Sequence, residues 1–199
     1  MSAPIVLASG SGIRAHLLRQ CRIEFEVKPA QVDEEGLKSA LIADGAKPRD
    51  LADALAEAKA RKVSGKRPEA LIIGCDQVLA LGQDLLSKPT SPDDARQQLQ
   101  RMQGTTHHLL SAAVIYQGMQ PLWRHVGVVK MTMRPLSDDY LEGYVARNWD
   151  SIRQSVGAYK LEEEGARLFS KVDGDYFHVL GIPLLEILTY LAQRGEIET

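Results

Sequence analysis

Cysteine is scarce in this chain, with Cys21 and Cys75 the only two among 199 residues, and neither sits in a Cys-x-x-Cys or Cys/His cluster. That argues against a disulfide framework and against a thiolate zinc site, and it points to a reducing interior. Long apolar runs are missing as well: no stretch approaches the ~20 residues of a membrane span. The start, MSAPIVLASGSG, lacks the basic lead and long apolar core of a secretion signal, so the cytoplasm is the expected compartment and no membrane partner is expected. Nor is there an excess of one charge. A net charge of −2 argues against general nucleic-acid binding and leaves a small molecule as the expected partner. No repeat, low-complexity segment or flexible linker interrupts the chain, which reads as one domain over residues 1–199. What is present, 44% hydrophobic and 25% charged residues, suffices for a sizeable buried core.

The most informative stretch is LIIGCDQVLALGQDLLSKP, residues 71–89. Leu71, Ile72 and Ile73 read as a buried strand, and Gly74 permits a close approach by backbone or ligand. The strand is expected to end at Asp76, with a turn at Gly82-Gln83 and a return through Asp84–Ser87 that brings Lys88 beside it. A carboxylate and an ammonium at the mouth of a sheet suit a metal-bound phosphate. They equally suit an ordinary surface ion pair.

Elsewhere the chain alternates. Ile5–Ala8 reads as a strand, Ser9-Gly10-Ser11-Gly12 as a loop and Ile13 onward as a helix. Such a loop can offer N–H groups and hydroxyls to an anion, with Arg14 adding fixed positive charge, although a capped turn with a surface arginine has the same appearance. It is neither a Walker A loop, lacking Gly-Lys-Ser/Thr, nor a Rossmann fingerprint, lacking the third glycine. Phe25-Glu26-Val27 suggests a strand, and the acids Asp33, Glu34 and Glu35 a solvated face. A helix is predicted from Pro48 through Val63, with Lys59 four residues after Leu55 and therefore on the apolar stripe, either snorkelling or functional.

Ser91-Pro92-Asp93-Asp94 starts a further helix, Thr105–Tyr116 and Pro121–Met133 form a long hairpin, and Ser137-Asp138-Asp139 caps another helix. Arg147–Ser155, with Trp149, reads as an exposed loop, and Gly157–Gly165, with Glu162, Glu163 and Glu164, as a charged turn. Ala166–Val172 and Tyr176–Leu180 are predicted as two strands, and a last helix follows Pro183. The expected fold is α/β: a mixed, twisted sheet flanked by helices, with ligands in the crevice at strand ends.

Taken together, several motifs resemble one family, the Maf nucleotide pyrophosphatases. LASGSGIRAHLL is similar to LASxSPRRxxLL, LAEAKARKV to LAxxKAxxV, GCDQV to GxDTV, SKP to GKP, GTTH to SGxTH, and GDYFHVLGIPL to GDYxNVVGLPL. The resemblance implies a fold related to inosine triphosphatases, a commonly dimeric cytoplasmic enzyme, and hydrolysis of a nucleoside triphosphate to the monophosphate and pyrophosphate with a divalent cation, Mg²⁺ or Mn²⁺. It implies that Asp76 is the general base, that Lys59, Lys88 and Arg14 neutralise phosphate charge, that Ser9 and Ser11 in the glycine loop hold phosphate oxygens, and that Glu34 and Asp76 hold the cation.

Three departures bear on the base. Ile13 replaces an arginine, Gln77 a threonine and Glu162 a glutamine that the thymidine/uridine triphosphate branch keeps. DQV with Lys160 and Glu162 resembles the branch acting on 7-methyl-GTP, which commonly has an aromatic where this chain has Ile13. Guanine presents N1–H and N2–H₂ side by side, which a carboxylate accepts, and N7 methylation adds positive charge that favours Glu162 and an aromatic face such as Tyr159. Action on dTTP or UTP, or a non-enzymatic role in septum formation, is the competing expectation.

Overall fold

The computed structural model of the protein describes residues 3–198. The predicted α/β architecture is observed. In chain order the elements are β1 (Ile5–Leu7), α1 (Gly12–Gln20), β2 (Glu26–Val27), α2 (Glu34–Ala43), α3 (Pro48–Ser64), β3 (Leu71–Leu81), β4 (Asp84–Leu86), α4 (Pro92–Met102), β5 (Thr106–Gln117), β6 (Gln120–Met133), α5 (Asp138–Ile152), β7 (Phe169–Asp173), α6 (Tyr176–Val179) and α7 (Leu184–Gln193). Two short 3₁₀ turns, Val156–Ala158 and Glu164–Leu168, precede β7. The mixed seven-stranded sheet has the order β2-β1-β3-β5-β6-β7, with β4 paired to β3. Among the described residues, no helix is long and apolar enough to cross a membrane.

The chain divides into two compact units, the first comprising residues up to Gln77, Ser111–Gly127 and the chain from Gly181 onward, the second Val78–Leu110 and Val128–Leu180. In the first, β1 lies parallel to both β2 and β3, with Leu7 opposite Ile73 as the last pair with β3. Val6, Leu7, Ile72 and Ile73 are wholly buried, as expected of strands covered on both faces. The turn between β5 and β6 falls on Gly118-Met119; both have positive φ, 54° and 65°, the pair of values a type I′ hairpin turn requires. In the second unit β3 and β4 pair antiparallel with Leu79 opposite Leu86, and β6 pairs antiparallel with β7. Its core gathers Leu79, Leu99, Met102, Met131, Tyr144 and Phe169.

Three expectations need correction. Arg147–Ser155 is not a loop: α5 continues to Ile152, because Leu141, Tyr144, Val145 and Ile152 keep helical spacing and Trp149 packs against the core. Tyr176–Leu180 is not a strand. Asp175 Oδ1 accepts from the N–H groups of Phe177 and His178, and that cap starts a helical turn where the aromatic and β-branched residues suggested β. Asp76 does not end its strand, since β3 runs on to Leu81. It lies three residues beyond the last parallel pair with β1, so the carboxyl-end rule applies to the end of the parallel register. The acidic cluster gains a helix the sequence reading omitted: Asp33 caps α2 by accepting from Gly36 N–H, and no residue of α2 is buried.

Candidate active site

The centre of the first unit follows from two periodicities. Along β3, Ile72, Gly74 and Asp76 share one face. Along α3, Leu51, Leu55, Ala56, Lys59, Ala60 and Val63 form the buried stripe. The two meet at Gly74, where a Cβ would fall 2.3 Å from the Ala56 carbonyl oxygen and 2.6 Å from the Ala60 nitrogen. Only glycine admits a helix this close. The close packing carries the Lys59 ammonium, on the next turn, to Asp76: Nζ donates to Oδ1 at 2.6 Å. Glu34 Oε1, from the first turn of α2, reaches the same ammonium at 3.1 Å. Lys59 and Asp76 are only 8% exposed each, so the pair is not a surface ion pair. Removing either member would strand a charge in a poorly solvated place.

A second cluster ties the glycine loop to β3. Arg14, in the first turn of α1 and 9% exposed, donates from Nε to the Gly181 carbonyl at 2.7 Å and from Nη1 to Ser9 Oγ and the Cys75 carbonyl, both at 3.1 Å. Gly181 has a φ of +91°, and a Cβ there would sit 3.1 Å from Arg14 Nη2. The glycine of LGIPL is thus the arginine's seat. Ser11 caps α1 with its side chain unused, while its N–H donates to Ser9 Oγ at 3.3 Å. Ile13 is half-buried. Burial pushes the Cys75 thiol up to about 11, so it stays protonated and is no nucleophile. Beside Asp76, Gln77 donates from Nε2 to Ser111 Oγ at 3.0 Å. Ser111 and Gly181 are the partners that reading the sequence did not bring to this centre. The one available signal was their place in motifs far along the chain.

The remaining candidates belong to the second unit. Lys88 is exposed, two residues past β4. Tyr159 is 4% exposed, its ring edge-on to Phe169 and its hydroxyl 2.8 Å from His107 Nε2. Lys160 Nζ donates to Ser151 Oγ at 2.7 Å and to Glu163 at 3.2 Å. The three consecutive acids differ. Glu164 is bound by Arg147 and Asn148, which hold its carboxyl down to about 2. Glu163 is held below the usual carboxylate range by the Ser151 hydroxyl and then Lys160. Glu162 is exposed and forms no ion pair or hydrogen bond among the described residues. Of the three, it alone is left to meet a ligand.

Fold and site define an α/β protein whose polar centre lies just past the carboxyl ends of parallel strands. The chain belongs to the Maf family, residues 4–194 matching the family described as Maf-like protein. It is 61% identical over 199 residues to a nucleoside triphosphate pyrophosphatase of Ruegeria pomeroyi, all of both chains being covered. Over 198 residues, again covering both chains, it is 46% identical to a 7-methyl-GTP pyrophosphatase of Brucella abortus biovar 1. A nucleoside triphosphate pyrophosphatase of Sphingopyxis alaskensis is 46% identical over 192 residues, covering 96% of this chain and 97% of the relative.

Proposed function

We infer that this protein is a nucleoside triphosphate pyrophosphatase, releasing the monophosphate and pyrophosphate, and propose that its substrate is 7-methyl-GTP. The family and the relatives' names support the hydrolysis. The observation that carries the proposed base is the uncommitted Glu162 carboxylate between partners already engaged. Its acceptor oxygens match two adjacent donors on guanine, and its charge matches a cationic N7-methylated ring. The Brucella relative's name agrees with that reading.

Chemically, the Lys59 ammonium orients the Asp76 carboxylate, which takes a proton from the attacking water. The loop at Ser9 supplies hydrogen bonds to the triphosphate. Glu34 and Asp76 fit a divalent cation, because two hard carboxylates converge on one ammonium and each keeps an oxygen with no hydrogen bond among the described residues. When bound, Mg²⁺ or Mn²⁺ would offset the negative charge of the triphosphate. The test is pyrophosphate release from a panel of plain and methylated triphosphates with each cation. The highest kcat/KM is expected for 7-methyl-GTP, and a preference for dTTP or UTP would overturn the assignment of the base.

A further inference from the structure

We propose that the buried hydrogen bond between Tyr159 and His107 positions Glu162 to read the base, so that Tyr159 acts from behind the turn and not as a stacking surface. The tyrosine ring is 4% exposed, meets Phe169 edge-on with centroids 4.7 Å apart and lies 5.6 Å from the His107 ring. A ring so enclosed has no open face to lend a nucleobase. Its hydroxyl is 2.8 Å from His107 Nε2. His107 has no exposed surface and its Nδ1 has no hydrogen-bond partner, so among the described residues this is the only hydrogen bond of the imidazole. Taking away the hydroxyl would leave both ring nitrogens buried and unmet, which is the costly way to lose a hydrogen bond.

The backbone around Tyr159 carries that bond to Glu162. Gly157 and Ala158 have positive φ, +77° and +58°, before Tyr159 returns to extended backbone. At Gly157 a Cβ would fall 2.5 Å from Leu79 Cδ1 and 3.0 Å from Tyr159 Cε1, so the glycine gives the tyrosine ring room to fold inward. Left-handed backbone is strained for Ala158 and persists only where its surroundings hold it. Those surroundings are complete burial, the Tyr144 hydroxyl donating to the Ala158 carbonyl at 3.4 Å, and the Tyr159 anchor one residue on. From Lys160 the chain leaves as a closed turn: the Glu163 N–H donates to the Lys160 carbonyl at 3.3 Å, and a Cβ at Gly165 would collide with that same oxygen. Glu162 sits in the middle of this turn. The ties from the turn to α5 are made by side-chain tips, Ser151 to Glu163 and Arg147 and Asn148 to Glu164, at exposed or half-buried positions where such contacts hold a segment weakly. The buried anchor is what fixes the stem of the turn.

This rests on the reading of Glu162 as the residue that meets guanine. Pyrophosphate release from 7-methyl-GTP and from UTP, measured with Mg²⁺ on the full chain and with thermal unfolding alongside, tests it. Tyr159→Phe, which keeps the ring and loses the hydroxyl, is expected to lower the kcat/KM ratio of 7-methyl-GTP over UTP about 3- to 10-fold, the worth of one hydrogen bond, and to lower it little further when Glu162 is already glutamine. A merely structural part would lower both substrates by one factor and leave the ratio alone. His107→Leu should repeat the loss, while His107→Gln, whose amide can still meet the hydroxyl, stays within about twofold of the wild-type ratio. An unchanged ratio in Tyr159→Phe, or losses that multiply in the Tyr159→Phe/Glu162→Gln double mutant, would overturn the positioning role. Should Tyr159→Phe not fold, the His107 pair decides by the same measure. Failure of the underlying reading shows separately, as a Glu162→Gln enzyme whose ratio matches wild type, and it removes the proposal with it.

Discussion

In the proposed reaction Asp76 serves the chemistry and Glu162 the choice of base. Asp76→Asn keeps the shape beside Lys59 but cannot take a proton from water; kcat for pyrophosphate release is expected to fall roughly 10²- to 10⁴-fold while nucleotide binding persists. Glu162→Gln keeps an acceptor oxygen but adds an N–H₂ facing the guanine donors. The ratio of kcat/KM for 7-methyl-GTP over UTP should drop about tenfold or more, and an unchanged ratio would show that the carboxylate does not read the base. At this scale the sequence placed Lys59 and Asp76 near one another's elements. Lys59 on an apolar stripe and an aspartate after a buried strand were legible because local periodicity dictates them. The partners of Arg14 and Gln77 were not, since Gly181 and Ser111 arrive from distant parts of the chain and no local pattern announces them.

Among the elements, the seam between α3 and β3 governs the site. Gly74→Ala would drive a methyl into the backbone of Ala56 and Ala60, which cannot swing aside as a side-chain tip would. The helix must shift, at a cost of about 1–3 kcal/mol and roughly 2–12 °C in melting temperature. Because Lys59 rides on that helix, kcat should fall by more than the folded fraction accounts for, which comparing activity with calorimetric unfolding would show. Elements with a cap or a turn of strong chemistry were readable: Ser91 accepts from Asp94 N–H and Ser137 from Tyr140 N–H as their positions predict. Tyr176–Leu180 misled because aromatic and β-branched residues favour strands, and a single aspartate cap settles such a short segment as helix.

For the molecule as a whole, His107 sets a pH dependence of stability. It has no exposed surface, and its Nδ1 is buried without a hydrogen-bond partner. Burial, and next the neighbouring His108, lower its pKa from 6.5 to about 4. The unfolded chain therefore binds the proton more readily, so the associated stability is full above pH 6.5 and is lost as pH falls toward about 4. The full change is on the order of 3 kcal/mol. Urea midpoints should fall between about pH 7 and about pH 4.5 in the wild type, and by less in His107→Gln, which lacks the titrating ring.

The Arg14–Gly181 bond joins residues 167 positions apart. During synthesis the glycine loop, α3 and β3 leave the ribosome long before Gly181 exists. The Arg14 guanidinium then lacks one of its three oxygens, and the Ser9 hydroxyl and the strand bearing Asp76 lack their final alignment. The alignment of Ser9 and of the strand bearing Asp76 therefore waits on Gly181, and a nascent chain that has not yet reached it is expected to release no pyrophosphate.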